Sequence, residues 1–289
     1  MNSMKKNRQY EVLEWASLFL EKHHREKRVA ELLLQHHLQV SRSEFFVTMR
    51  DSVPEEVIAR YEKDIVKHAK QGVPIQHLIG YESFYGRTFH VNQHVLIPRP
   101  ETEELVQHVI QYTNSKIVDK IPTIVDAGTG SGIIAITLAL ELKNASIYAT
   151  DISNKALATA RENSQHYHTN IRFYQGDFLI PLIEQHMQVD IIVSNPPYIS
   201  RDEVSELSDT VKNFDPELAL FADENGLAAY KQILSQSKQV LRKNGCIAFE
   251  IGHEQGEAVT FLVKKTYPNS DINVLKDING KDRILFAKL

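Results

Sequence analysis

The 289-residue sequence contains one cysteine, Cys246. That excludes an internal disulfide and any cluster of thiolates for zinc or iron–sulfur. Cys246 lies in the aliphatic pattern GCIAFEIG, where a thiol is expected to act as a small apolar core residue. No stretch approaches the roughly 18 apolar residues a membrane span requires, and the start, MNSMKKNRQYEVLEW, has no apolar run followed by small residues, so a cytoplasmic protein is expected. A basic excess is also missing: 33 Lys and Arg stand against 37 Asp and Glu, a formal net charge of -4. Dedicated nucleic-acid binders usually carry a basic face, and this balance argues against one. The thirteen histidines include His23-His24 and His36-His37, but adjacent residues point to different helix faces and no carboxylate spacing completes a metal site. Internal repeats and low-complexity tracts are absent too.

What is present falls into three parts. Residues 1–75 read as helical, with Val12, Trp15, Ala16 and Phe19, then Val29, Leu32 and Leu33, recurring at spacings of three and four. Ser41 with Glu44, and Ser52 with Glu55, have the capping-box spacing, the second with Pro54 in the first turn. This small bundle is either a packing appendage or a module that recognises a partner. Residues 76–100, HLIGYESFYGRTFHVNQHVLIPRP within them, gather aromatic and β-branched residues around Gly80 and Gly86, as in a β-hairpin linker. Residues 101–289 alternate short aliphatic runs (TIVDAG, SIYATD, IRFYQGD, DIIVSN, CIAFEIG, INVLKD, RILFAKL) with helical patterns. Such alternation predicts an α/β unit with a mostly parallel, seven-stranded sheet covered on both faces.

In VDAGTGSGIIAITLAL a strand ends at Asp126, and Gly128, Gly130 and Gly132 precede a helix. Glycines permit a sharp turn and bring backbone N–H groups close to a ligand. A dinucleotide fingerprint would require glycine where Ile133 stands, so the loop suits a nucleoside better than a pyrophosphate. Nineteen residues beyond Gly132 the next strand ends in Asp151, whose carboxylate can accept hydrogen bonds from both hydroxyls of a ribose. After the third strand, QGDFL offers Asp177 for an exocyclic amine and Phe178 as an apolar face for a purine. Each carboxylate alone is an ordinary loop end. Three at consecutive strand ends would share one rim, where ligands of open parallel sheets bind.

The fourth strand, DIIVSNPPYIS, stops its aliphatic run at Asn195, Pro196, Pro197 and Tyr198. In isolation this could be a proline turn. Beside a nucleoside pocket it reads as a rigid set of acceptors, because prolines have locked φ angles and no N–H groups. The DAGTGSG loop, the Asp151 strand end and NPPY together resemble S-adenosylmethionine-dependent methyltransferases that act on planar, conjugated nitrogens. That resemblance implies a Rossmann-like class I methyltransferase domain. It also covers adenine-N6 DNA enzymes, RNA guanine-N2 enzymes and protein glutamine-N5 enzymes, since each target presents a planar –NH2.

The segments PIQHLIGYESFYGRTFHVNQHVLIPRPETEELV, NPPYIS, DPELALFADENGLAAYKQIL, FEIGHEQGEAV and KDINGKDRILFAKL are similar to the peptide chain release factor glutamine N5-methyltransferase family over nearly all of residues 74–289. The resemblance implies S-adenosylmethionine as cofactor and S-adenosylhomocysteine as product. It implies the glutamine of a Gly-Gly-Gln loop in bacterial class 1 release factors as substrate, and an N-terminal bundle that helps to grip the factor. Carried over to matching positions, Gly128, Thr129, Gly130, Ser131 and Gly132 form the cofactor loop, Asp151 is the ribose ligand and Phe178 neighbours adenine. Asn195 through Tyr198 form the glutamine site, with Asn195, Pro196 and Tyr198 catalytic and Asn195 also touching the cofactor. Arg99, Pro100, Glu101 and Thr102 of IPRPETE cap the cofactor end. The chain has Ala222 and Asp223 where the family often has paired glycines, which bears on local loop shape. The other reading, a binding protein that keeps the fold without turnover, predicts that Asn195→Ala is silent. No metal, no nucleic acid and no membrane are expected as partners, and nothing in the pattern demands more than a monomer.

Overall fold

The computed structural model describes residues 7–117 and 120–289, so the part of the expected helical region before residue 7 lies outside the described residues. The chain divides into two compact units, one taking in the chain up to Gly80 together with Ser208–Phe214, the other Tyr81–Leu207 and Asp215–Leu289.

The first unit is helical: Gln9–Lys22, Arg28–Leu38, Arg42–Val47, Glu55–Gln71 and the short Ile75–Ile79. Residues four apart share a helix face, and Val12, Ala16 and Leu20 accordingly point inward together, meeting Leu33, Leu34, Phe45, Tyr61 and Ile65 in one core. Trp15 and Phe19 border that core half-buried. Leu32, expected inside, is exposed, because Leu33 and Leu34 take the inward positions of that turn. The Tyr61 hydroxyl, fully buried, donates to the Ala30 carbonyl at 2.9 Å. Ser41 caps as its spacing predicts: its hydroxyl accepts from the Glu44 N–H at 3.3 Å while Glu44 accepts from the Ser41 N–H at 2.8 Å. Ser52 does not cap. It bridges to Arg8, and the next helix begins at Glu55 behind Pro54, which disfavours helical geometry at the preceding Val53.

In the second unit, strands β1 (Tyr81–Phe84) and β2 (Arg87–His90) pair antiparallel. Their turn is Tyr85-Gly86, both with positive φ, +52 and +70, as hairpin turns that follow strand twist require. The expected β character of 76–100 is confined to this hairpin: Pro74 and the left-handed Gly80 bracket a short helix before it, and among the described residues no further strand follows before Pro100.

The large sheet comprises β3 (Thr123–Ala127), β4 (Ser146–Asp151), β5 (Ile171–Gln175), β6 (Val189–Ser194), β7 (Leu241–Glu250), β8 (Asp271–Lys276) and β9 (Asp282–Lys288), in the order β5-β4-β3-β6-β7-β9-β8. It is parallel from β5 to β7, and β9 runs antiparallel between β7 and β8. This is the mostly parallel seven-stranded α/β sheet expected. Alternate residues serve opposite faces: Ile191 and Val193 of β6 join Ile124, Ile136 and Ala248 on one side, while Ile192 joins Val125, Tyr230 and Phe249 on the other. Cys246 is fully buried in the first of these cores, and burial pushes its thiol well above the ordinary range, leaving it an inert packing group. The chain winds outward from β3 to β4 and β5, then returns to place β6 on the other side of β3. That reversal opens a crevice at the carboxyl ends of β3 and β6.

Candidate active site

The crevice is lined from four strand ends. Gly128, Thr129, Gly130 and Ser131 follow β3, Asp151 closes β4, Asp177 and Phe178 follow β5, and Asn195 and Pro197 follow β6. Arg99 and Thr102, at the start of helix Pro100–Lys116, also line the crevice, as do the segments around Val95 and Leu218. Residues read separately from the sequence therefore share one surface.

The glycine loop is built for close approach. Gly128, Gly130 and Gly132 have φ of +80, +57 and +84, a region that excludes most side chains. A Cβ on Gly130 would meet nothing within 4 Å, so its face is open to a guest, whereas one on Gly132 would come within 2.9 Å of Ile136 and 3.1 Å of Ala160. Gly132 thus lets two helices pack and does not line the crevice. The loop's N–H groups differ from the expectation. Those of Gly128 and Thr129 donate to the Thr150 carbonyl at 2.9 Å, that of Gly132 to Thr129, and that of Gly130 to Asp151 at 2.8 Å. Turned inward, these four make no anion cradle, and there the loop offers shape in place of donors. This accords with a nucleoside guest and disfavours a pyrophosphate.

Asp126, at the end of β3, has no exposure. Thr129 Oγ1 donates to its Oδ2 at 2.6 Å and the Ala135 N–H at 3.2 Å, while Oδ1 has no partner. Burial pushes its carboxyl up to about 7 against these bonds. Asp151 is half-buried; its carboxylate is pinned by N–H groups of Gly130 and Ser153, each at 2.8 Å. Burial raises its pKa, and the two N–H groups oppose that shift. Each pinned oxygen keeps a lone pair, so a vicinal diol could still be accepted. Gln232 donates to Asp177 Oδ2. Phe178 sits at φ +46, a strained setting for an aromatic residue, and its ring stands 3.7 Å from where a Gly128 side chain would begin. Strain of that kind gathers at ligand sites. An open glycine face, a fixed carboxylate and an apolar ring on adjacent strand ends fit the adenosine part of S-adenosylmethionine.

The end of β6 is held from several directions. The Ser194 hydroxyl donates to the Ala127 carbonyl at 2.5 Å. Asn195 Nδ2 donates to Thr102 Oγ1 at 3.3 Å, and Thr102 Oγ1 donates to Glu250 Oε2 at 2.6 Å. The Tyr198 carbonyl accepts from Gln255 Nε2 at 2.8 Å. A Cβ on Gly226 would lie 2.0 Å from that carbonyl. Pro196 is buried and Tyr198 half-buried; neither lines the crevice, and Tyr198 packs against the core around Tyr230 and Phe249. Burial, then the nearby Glu250, raise the Tyr198 pKa above the usual phenol range. Arg99 reaches away to Asp215, buried, at 2.8 Å. Pro100 and Glu101 lie outside the crevice wall. Ala222, where paired glycines could stand, has φ -128, an extended geometry that needs no glycine.

Sequence reading missed the partnership of Thr102 with Glu250, together with Gln255 and Gly226. A carboxylate inside the aliphatic FEIG run was the available signal. Among the described residues, no group of three or more His, Cys, Asp or Glu side chains could hold a metal ion, and no helix is long and apolar enough to cross a membrane.

Comparison with known proteins places residues 11–80 in the PrmC N-terminal domain family and residues 104–214 in the methyltransferase small domain family. The chain is 43% identical over 282 residues to the release factor glutamine methyltransferase of Bacillus cereus, covering 98% of this chain and 99% of that protein. It is 44% identical over 279 residues to that of Bacillus subtilis, covering 96% of each. Among solved structures, the hMettl16 catalytic domain with an RNA hairpin has a TM-score of 0.54 at 15% identity, covering 82% of this chain and 84% of that one. A Pyrococcus furiosus methyltransferase has a TM-score of 0.51 at 17% identity, covering 80% and 95%. Both structural likenesses are of fold alone.

Proposed function

The chain belongs to the release factor glutamine methyltransferase family, and from that premise we propose that it methylates the side-chain nitrogen (N5) of the glutamine in the Gly-Gly-Gln loop of bacterial class 1 peptide chain release factors. S-adenosylmethionine is the donor and S-adenosylhomocysteine the product. The observation that carries this reading is the place of Asn195, on the rim it shares with Gly130 and Asp151.

The chemical difficulty lies in the acceptor. An amide nitrogen has its lone pair delocalised into the carbonyl and attacks carbon poorly. Asn195 Oδ1 and the backbone carbonyls of the NPPY segment accept hydrogen bonds from its two N–H groups, which lets the nitrogen turn pyramidal as it attacks. Holding the nitrogen in line and stabilising its developing positive charge both lower the barrier. Pro196 and Pro197 keep the acceptors rigid and bring no competing donors, and Tyr198, packed against the core around Tyr230 and Phe249, anchors the end of the segment. The nitrogen releases its proton after gaining the methyl, when it is most acidic, so no strong base is required. The bound cofactor supplies a sulfonium-activated methyl group. Asp151 would hold its ribose, Asp177 and Phe178 its adenine, and Gly128 through Ser131 its approach.

We assign the helical unit to recognition of the release factor, and expect a cytoplasmic monomer that does not act on nucleic acid directly. The test offers radiolabelled S-adenosylmethionine together with release factor, duplex DNA or single-stranded DNA. Label on the Gly-Gly-Gln glutamine is expected; label only on DNA overturns the reading.

A further inference from the structure

We propose that Thr102 and Glu250 form a positioning relay that fixes which end of the Asn195 amide faces the substrate, turning its oxygen toward the incoming glutamine nitrogen. The proposal rests on the glutamine reading above for its catalytic meaning, and on the buried geometry for its physical basis.

Asparagine can present either oxygen or NH2 to the same point, and only the oxygen can accept a hydrogen bond from the substrate. The choice is made where the crevice wall, at Thr102, meets Glu250 behind it. Thr102 is 1% exposed and Glu250 2% exposed, so no bulk water competes there. A threonine hydroxyl has a single proton, and an ionised carboxylate only accepts. The 2.6 Å contact between Thr102 Oγ1 and Glu250 Oε2 therefore consumes that proton. Thr102 is left with lone pairs toward Asn195, which must answer with its NH2, in accord with the 3.3 Å contact to Nδ2. The oxygen is then directed to the other side.

Glu250 closes β7, and four elements surround it: Glu101 beside Thr102 at the start of helix Pro100–Lys116, Tyr198 after β6, Tyr230 of helix Ala228–Val240, and Arg283 of β9. The Tyr230 hydroxyl donates to the Glu250 backbone carbonyl at 3.0 Å. Burial pushes the Glu250 carboxyl up to about 7, opposed by the bond from Thr102 and by Arg283. Once protonated, Glu250 can donate to Thr102, whose own proton is then free to turn to Asn195. The amide flips, and its NH2 meets the substrate NH2. Acid should thus switch off the acceptor while leaving the cofactor crevice intact.

The experiment compares wild type, Thr102→Val, Thr102→Ser and Glu250→Gln, each checked for folding by melting temperature. For Thr102→Val, kcat with release factor is expected to fall on the order of 100-fold, with S-adenosylhomocysteine Kd unchanged. Thr102→Ser should recover most of the rate. Glu250→Gln, which has no carboxyl to protonate, should lose the fall in kcat below about pH 7 whatever its rate at neutral pH. A second readout is independent of turnover: the 15N side-chain amide signal of Asn195, identified by its loss in Asn195→Asp. It should shift as wild type is acidified and stay still in Thr102→Val. Wild-type kcat in Thr102→Val, or an Asn195 signal indifferent to both pH and Thr102, overturns the relay. So does an equal loss of cofactor affinity, which would make Thr102 a plain wall of the crevice. If wild type transfers no methyl to release factor, the glutamine reading fails and the Asn195 signal alone decides the relay.

Discussion

The two units treat buried polarity in opposite ways. Among the described residues, the helical unit buries only neutral or neutralised polar groups, Gln9 and His68. Gln9 is satisfied by the Phe45 carbonyl at 2.7 Å and the Thr48 hydroxyl at 3.0 Å, and burial lowers the His68 pKa, favouring neutral imidazole. The sheet unit buries Asp126, Asp190, Asp215, Glu250 and Asp277. A hydrogen-bonded neutral group costs little to bury, whereas a carboxylate costs several kcal/mol unless it is paired or protonated. Asp126 and Glu250, the two raised to about 7, both stand behind the crevice. The helical unit is organised for stability, and the sheet unit gives some of it up to hold a site in place.

That contrast can be broken most sharply at Asn195. Asn195→Ala is expected to lower kcat by roughly 100- to 1,000-fold with cofactor affinity kept, read by steady-state turnover beside calorimetric titration; undiminished turnover would remove Asn195 from the reaction. Next comes Asp151→Ala, expected to weaken S-adenosylhomocysteine binding by on the order of 10-fold or more, measured by the same titration. An unchanged Kd removes Asp151 from the ribose.

The third test sharpens the comparison through pH. Asp126 and Glu250 hold their protons in the folded state up to about 7, while the unfolded chain releases them near 3.8 and 4.5. Their contribution to stability is thus complete below about pH 4 and is lost as pH rises toward about 7. Urea unfolding of the sheet unit should show a midpoint that falls over this window, with a shallower fall in Asp126→Asn. The smallest effect is expected in the helical unit. Ser41→Ala removes a capping bond and should cost about 1 kcal/mol there, seen as a lower unfolding midpoint for that unit with cofactor affinity unmoved.

The same contrast explains what could be read from the sequence. Features carried by neighbours along the chain were legible: the Ser41 cap, the glycine loop, Asp151 at a strand end and the proline stop after Asn195. These obey local rules of backbone and spacing. The relay was hidden because Thr102 and Glu250 are 148 residues apart, and no local pattern announces a partner at that distance. The direction of the loop's N–H groups was hidden too, since it depends on the Thr150 carbonyl across the sheet. Ser52 shows the converse error: a valid local signal lost to a pairing with Arg8.

The position of β9 has a consequence for how the sheet unit comes into being. Because β9 is wedged between β7 and β8, β8 emerges from the ribosome before the strand it pairs with. Until β9 is inserted, β7 and β8 both present bare edges, which are the natural templates for unwanted association. Assembly of this edge must therefore wait for the later strand.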